Sequence, residues 1–117
     1  MERIVVYKDR VRYEYPYSDI VYVMAKCGDT QYLIGDELYR NELSLKKVEE
    51  IIDKRIFLHV NRECIVNISK VRYTKGDTNV YIGETPINIS RRRKAFELAY
   101  MEYEQTLKLI DSMQIFA

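Results

Sequence analysis

Three polar residues interrupt an apolar pattern that does not need them. Asn61, Arg62 and Glu63 stand in a row between the segments FLHV and CIVNI, both typical of strands. An arginine can pair with the O6 and N7 atoms of guanine, and an asparagine with the N6 and N7 atoms of adenine. The alternative is an exposed Arg62–Glu63 pair that stabilises the turn by less than about 1 kcal/mol. Taken alone, the three residues fit the exposed pair better than DNA contact.

A second cluster consists of four consecutive cations: Arg91, Arg92, Arg93 and Lys94. They follow Ser90, which can cap a helix, and the chain from there to Gln114 contains neither Gly nor Pro. Cations at a helix N-terminus cost some ~0.3–1 kcal/mol each, because the positive end of the helix dipole lies there. The same helix end binds anions through its free N–H groups. The cluster therefore fits either a phosphate-binding site or a solvated basic surface near acidic residues such as Glu97.

The elements that hold these clusters are predicted to be mostly short strands. Turn signals recur at short intervals, as at Gly28-Asp29 and Gly35-Asp36, which favours hairpins over βαβ units. Ser44 can cap a short helix at about 44–53 with Leu45, Val48, Ile51 and Ile52 on one face. A long C-terminal helix is predicted after Ser90.

The composition is that of one folded domain without a strong charge bias. The chain has 117 residues and a net charge of +1, so a nucleic-acid signal must come from where the charges sit. No apolar run suits a signal peptide or a membrane span. Cys27 and Cys64 are too few for a disulfide scaffold and fit a reduced cytoplasm, and a single bridge between them stays open.

The sequence offers no constellation typical of an enzyme. It has no nucleophile–base pairing, no metal-ligand spacing and no glycine-rich phosphate loop. We therefore expect no catalysis, no cofactor, no metal, no small-molecule substrate and no membrane partner. The single histidine, His59, is more typical of a strand surface than of a catalyst. Cys64 lies in an apolar stretch and is more typical of a core than of a reactive thiol.

The order and spacing of the two clusters together resemble the LytTR family of bacterial DNA-binding domains. The similar segments are FLHVNRECIVNISKV and, after a short hairpin, PINISRRRKAF; with DIVYV and LSL upstream, the resemblance covers about residues 4–97. The matching positions are Phe57, Val60, Arg62, Val66, Asn67, Ile68, Val71, Ile89, Ser90, Arg91 and Phe96. The chain departs from the family pattern at Asn61, Glu63 and Cys64, where a His, a small hydroxyl residue and an aromatic residue are usual. Met24 and Ala25 stand where an acidic residue is common.

The resemblance implies a mainly β domain, an elongated stack of small antiparallel sheets (a β-β-β sandwich) with one short helix and a long C-terminal helix. The DNA-binding domain would span residues 1–97, and residues 98–117 would be a helical extension. Such domains act in bacterial transcription regulators, often behind a receiver domain, and place loops in neighbouring major grooves of double-stranded DNA.

Residue by residue, the resemblance implies three DNA-contacting regions. Arg62 and Arg91 would read bases, and Asn61 would either contact DNA or have no part in binding. Arg92, Arg93 and Lys94 would mostly meet phosphates. Lys26 and Thr30 are the usable groups of a third region at residues 26–30, and His59 stands where the family often has a basic residue. Asn67 is expected to cap the turn that follows it.

Two other function classes and one assembly remain open. Tyrosines near YEYPY (residues 13–17) suit single-stranded nucleic acid, since bases stack on aromatic rings. A protein-interaction module using the C-terminal helix is the other class. Within that helix a heptad-like seam is formed by Phe96, Tyr100, Tyr103, Leu107 and Ile110. The seam predicts either a homodimer or a helix folded onto its own β-body.

Overall fold

The described part of the computed structural model, residues 2–90 and 93–115, contains nine strands and two α-helices. The strands are β1 (Arg3–Lys8), β2 (Val11–Pro16), β3 (Ile20–Lys26), β4 (Asp29–Ile34), β5 (Glu37–Asn41), β6 (Phe57–Asn61), β7 (Cys64–Asn67), β8 (Asn79–Ile82) and β9 (Thr85–Asn88). The helices are α1 (Leu45–Ile51) and α2 (Arg93–Ile115), and short 3₁₀ turns occupy Tyr17–Asp19 and Ile68–Lys70. The prediction of a mainly β fold with one short and one long helix is confirmed.

Antiparallel pairing joins seven of the strands in the order β2-β1-β5-β4-β3-β7-β6, and β8 and β9 form a separate hairpin. Two long-range contacts create this order. Tyr7 of β1 lies opposite Arg40 of β5, and Tyr22 of β3 lies opposite Val66 of β7. Seven of the strands are therefore continuous in one sheet, and the β8–β9 hairpin forms a second, small sheet. The described molecule is elongated, with extents of 48 × 35 × 27 Å.

Two apolar cores flank the β6–β7 hairpin. One core lies under α1 and contains Val48, Ile52 and Ile65; the other lies between the β8–β9 hairpin and α2 and contains Val66 and Phe96. Successive residues of a strand point to opposite faces, so β7 can supply both cores. All four residues of β7 are buried, and full burial of an aliphatic side chain is worth about 1.5–3 kcal/mol. The β6–β7 turn consequently stands on a rigid base.

Local signals in the sequence set the ends of α1 and of the turn after β7. Ser44 Oγ accepts a 3.1 Å hydrogen bond from Lys47 N, which confirms the predicted cap. The helix ends at Ile51, short of the predicted residue 53, because Ile52 is extended with φ −94° and ψ 159°. Asn67 is buried, and its Oδ1 accepts from Ser69 N at 3.0 Å, as the predicted cap requires.

Only the first half of α2 packs against the β-body. Phe96 and Tyr100 contact Tyr73, with ring centroids 5.3 and 5.6 Å from it. Residues 104–113 are all exposed, and Leu107 and Ile110 keep 43% and 44% of their surface in solvent. The heptad-like seam is thus packed against the β-body at its start and exposed to solvent at its end. Neither described helix combines the length and apolar character needed to cross a membrane.

Candidate nucleic-acid interface

Three segments that are distant in sequence meet at one end of the seven-stranded sheet. They are residues 26–29 (the β3–β4 turn), residues 61–64 (the β6–β7 turn), and residues 88–90 with 93–94, where β9 leads into α2. Backbone hydrogen bonds join them: Ala25 N donates to Glu63 O at 2.8 Å, and Ser90 N donates to Val60 O at 3.0 Å. We call this region the three-loop surface. The first cluster singled out in the sequence belongs to it, as do Arg93 and Lys94 of the second.

Asn61 links two of these segments through its side-chain amide. Its Nδ2 donates to Asn88 O at 3.0 Å, and its Oδ1 accepts from Glu63 N at 2.9 Å. To read adenine, an asparagine uses this same amide donor and carbonyl acceptor. Here both groups already have protein partners. Direct readout by Asn61 would have to break these bonds. The geometry therefore favours a role in shaping the turn over direct DNA contact, a role that the sequence did not indicate.

Arg62 and Glu63 are both exposed at the tip of the β6–β7 turn. Among the described residues, the predicted Arg62–Glu63 ion pair is not formed, and no other carboxylate lies within 4.0 Å of the Arg62 guanidinium. The backbone of the turn is fixed by Asn61 and by Ala25 N, while the Arg62 side chain extends into solvent. Such an arginine has all its donors available to an incoming partner.

The β3–β4 turn presents Lys26 but not Thr30. Cys27 and Gly28 have φ values of 52° and 82°, the left-handed pair that a two-residue hairpin turn requires. Lys26 is exposed, whereas Thr30 is only 5% exposed and its hydroxyl donates to Leu43 O. Thr30 was expected to be a usable contact group, and its burial in this bond removes it from the candidate interface.

The segment before α2 leads into the described part of the basic cluster. Ile89 N donates to Thr78 O at 2.8 Å, which fixes the approach to the helix. Arg93 and Lys94 are exposed in the first turn of α2. Arg91 and Arg92, which were predicted to contact DNA, lie outside the described residues.

Contacts of Glu97 bring a further cation, Lys75, near this cluster. It accepts hydrogen bonds from Tyr73 Oη at 2.8 Å and from Gly76 N at 2.9 Å. These two bonds, with weaker attraction from Lys75 and Arg93, hold the pKa of the Glu97 carboxyl below its usual value. Lys75 therefore stands near the helix start. The sequence did not indicate this position of Lys75, because its proximity to α2 depends on the contact between Gly76 N and Glu97.

His59 lies behind the three-loop surface rather than on it. Its side chain is 13% exposed, with Nε2 at 3.1 Å from Glu49 Oε2 of α1. Its Nδ1 lies 3.1 Å from Asn61 O. The resemblance placed His59 among DNA contacts, but the described geometry gives it a supporting position beneath the turn.

The tyrosines that suggested a stacking platform are engaged with each other. The Tyr13 and Tyr15 rings stack at 6.1 Å, and Tyr15 Oη lies 2.7 Å from Tyr39 Oη. Tyr13, Tyr15 and Tyr17 all pack against the first core. Bases could not stack on these faces without disturbing the core, so the structure gives no support to the single-strand alternative.

Both cysteines are free thiols, so the bridge left open by the sequence is not formed. Cys64 is buried, which raises the pKa of its thiol to about 12. Cys27 is exposed in the β3–β4 turn. In residues 2–90 and 93–115, no group of His, Cys, Asp and Glu is arranged to hold a metal ion.

Two comparisons with known proteins found a match. The family model for the LytTr DNA-binding domain matches residues 11–98. A solved structure of the LytTr DNA-binding domain of a Bacillus cereus protein, described as a putative methyl-accepting/DNA response regulator, superimposes with a TM-score of 0.74. It is 17% identical in sequence, and the match covers 86% of this chain and 97% of that one. At this identity the match shows a shared fold. No curated protein sequence matches the chain.

Proposed function

Because this chain belongs to the LytTR family of DNA-binding domains, we propose that it binds double-stranded DNA sequence-specifically through the three-loop surface. In this proposal it is the DNA-binding part of a bacterial transcription regulator and works in the cytoplasm. The observation that carries the proposal is the meeting of three distant loops, each with an exposed cation, at one end of the sheet. The major groove is wide enough to admit protein elements and distinguishes all four base pairs.

Arg62 is the proposed base-reading residue of the β6–β7 turn. Its backbone is held on both sides by Asn61 and by the Ala25–Glu63 bond, while its side chain is exposed. A rigid base with a projecting guanidinium suits bidentate pairing with guanine, worth about 1–3 kcal/mol of discrimination. Arg91, which follows Ser90 in the chain, is proposed as the second base reader from its match to the family.

The remaining cations are proposed to contact phosphates. Four exposed or nearby groups surround the proposed readers: Lys26, Lys75, Arg93 and Lys94. Arg92 is proposed to join them. Phosphate contacts fix the position of a protein on the duplex but carry no sequence information directly. Because they release counterions, affinity should fall steeply as salt rises, although the net charge of the chain is only +1.

The test begins with selection of bound sequences from a random duplex pool, followed by affinity measurements on the selected duplex. Arg62→Ala should lower affinity for that duplex roughly 5- to 150-fold and relax the preference at one base pair. Arg55→Ala is the matched control, because it removes the same charge at the opposite end of β6, where Arg55 binds Asp53. It should leave the sequence preference unchanged.

The proposal fails if the selected duplex binds no tighter than random duplex at physiological salt. Equal relaxation of preference by Arg62→Ala and Arg55→Ala would show that Arg62 acts only through its charge. A thermal melt of each variant establishes first that it is folded.

We further propose that a second copy of the chain binds the exposed half of α2. Residues 104–113 extend about 15 Å along the helix axis and carry Leu107, Ile110 and Met113 on adjacent turns in solvent. The stripe continues the seam that Phe96 and Tyr100 use on the β-body. Its length is too small to bury the ~800 Å² per partner of a standard interface. Two copies bound to neighbouring half-sites have a high effective concentration relative to each other, which would stabilise the dimer.

A further inference from the structure

We propose that His59 is a positioning residue of the DNA-binding surface, that its ring works in the doubly protonated form, and that DNA affinity depends on this proton. The inference rests on the proposed function, because it concerns how the three-loop surface is held and charged. Its basis is the pair of contacts made by the two ring nitrogens, one to α1 and one to the β6–β7 turn.

Both ring nitrogens of His59 face oxygen atoms that accept hydrogen bonds. Nδ1 lies 3.1 Å from the backbone carbonyl oxygen of Asn61, which can never donate. Nε2 lies 3.1 Å from a carboxylate oxygen of Glu49. A neutral imidazole has one N–H donor and one lone pair, so one nitrogen would turn its lone pair toward an oxygen. An imidazolium has an N–H donor at both nitrogens, so it can donate a hydrogen bond to each of the two acceptors.

Within residues 2–90 and 93–115, Glu49 is the one carboxylate that lies within 4.0 Å of a ring nitrogen. The α1 helix presents Glu49, whose side chain is 40% exposed, and β7 presents Ile65 directly opposite His59. The neighbouring Cys64 thiol is buried and has a raised pKa, so it stays neutral. The turn itself carries Arg62 and Glu63, both exposed to solvent. Glu49 is therefore the carboxylate that the His59 proton neutralises.

This proton links α1 to the residue immediately before Arg62. While it is present, the rigid ring donates one hydrogen bond to Glu49 and one to the Asn61 carbonyl. When it leaves, the neutral ring keeps one N–H for Asn61, and the partly exposed Glu49 loses its donor. Glu49 is then an uncompensated negative charge behind a surface that must approach phosphates. Both consequences oppose DNA binding, so affinity should fall as pH rises and the ring loses this proton.

The chain offers a clear test because His59 is its only histidine. All proteins tested, the parent included, carry Cys27→Ser, so that the three-loop surface has no exposed thiol. Affinity for the selected duplex is measured from pH 6 to pH 8 for the parent, for Glu49→Gln and for Glu50→Gln. Glu50→Gln is the matched control, because it removes the same charge from the next residue of α1, which contacts Lys47 and not His59.

We expect the parent and Glu50→Gln to lose affinity about fivefold across this range, at the low end of typical coupling between sites. Glu49→Gln should show a much flatter profile. A profile in Glu49→Gln as steep as that of the parent, or no pH dependence in the parent, would overturn the proposal.

Imidazole ¹⁵N NMR on the free protein tests the same bridge in the absence of DNA. At pH 7 the doubly protonated fraction of the ring should be larger in the parent than in Glu49→Gln, and equal in Glu50→Gln. An equal fraction in all three would disprove the bridge. Failure of every protein to bind duplex at any pH would instead refute the proposed function, leaving the NMR result to decide the role of His59.

Discussion

Replacing Asn61 by alanine separates a residue that shapes the turn from one that reads a base. The substitution removes two hydrogen bonds, to Asn88 O at 3.0 Å and from Glu63 N at 2.9 Å. A net contribution of about 0.5–1.5 kcal/mol for each bond gives a loss of roughly 1–3 kcal/mol in unfolding free energy. For a domain of this size, at about 4 °C per kcal/mol, the Tm should fall by roughly 4–12 °C.

The same substitution should weaken DNA binding without abolishing its specificity. The Arg62 side chain is intact in Asn61→Ala, but its backbone must then be ordered upon binding. Ordering at an interface costs about 0.5–1.5 kcal/mol per side chain, which corresponds to roughly a two- to tenfold loss of affinity. The preferred sequence should be the same as that of the parent, because the residue that reads it has not changed.

Urea denaturation followed by circular dichroism, with fluorescence anisotropy on the selected duplex, measures both quantities. Asn88→Ala is the control, because it keeps the backbone carbonyl that Asn61 uses and removes only a long 3.4 Å contact to Thr78 O. Its stability should stay within about 0.5 kcal/mol of the parent. If Asn61→Ala were as stable as the parent yet lost preference at one base pair, Asn61 would be a base reader and the structural role would be wrong.

Three further outcomes are expected. In sedimentation experiments with DNA, Leu107→Glu should abolish a dimer that Leu109→Glu, exposed off the seam, leaves intact; a monomeric parent under all conditions would rule the dimer out. At pH 8 a thiol reagent should modify Cys27 in the folded protein and reach Cys64 only after unfolding, because burial raises the pKa of the Cys64 thiol to about 12; rapid modification of both would contradict this. The hydrogen bond from Tyr73 is the chief cause that lowers the pKa of Glu97, so the Glu97 carboxylate stabilises the fold above pH 4.5, its usual pKa, and this stabilisation is lost as pH falls. Glu97→Gln should therefore be less stable than the parent at pH 7, and its stability should depend less on acid pH. Urea melts at several pH values would detect both effects.

Features encoded over a few neighbouring residues could be predicted from the sequence. Ser44 lies three residues before the N–H group that it caps, and Asn67 bonds an N–H two residues ahead. The short strands and their turns follow from alternating apolar residues and from Gly28 in a left-handed turn position. The family itself was identified from the order and spacing of such local segments, and the family model confirms it.

The roles of individual residues in the three-loop surface required the tertiary structure. Asn61 is bound by Asn88, 27 residues away, and Thr30 by Leu43, 13 residues away. His59 reaches Glu49 only because α1 packs on the same core as Ile65. No local pattern encodes these partners, because they are chosen by the packing of elements that are distant in the chain. For the same reason, periodicity could define the seam of α2, but only the size of the β-body decided that Phe96 is buried and Leu107 is exposed.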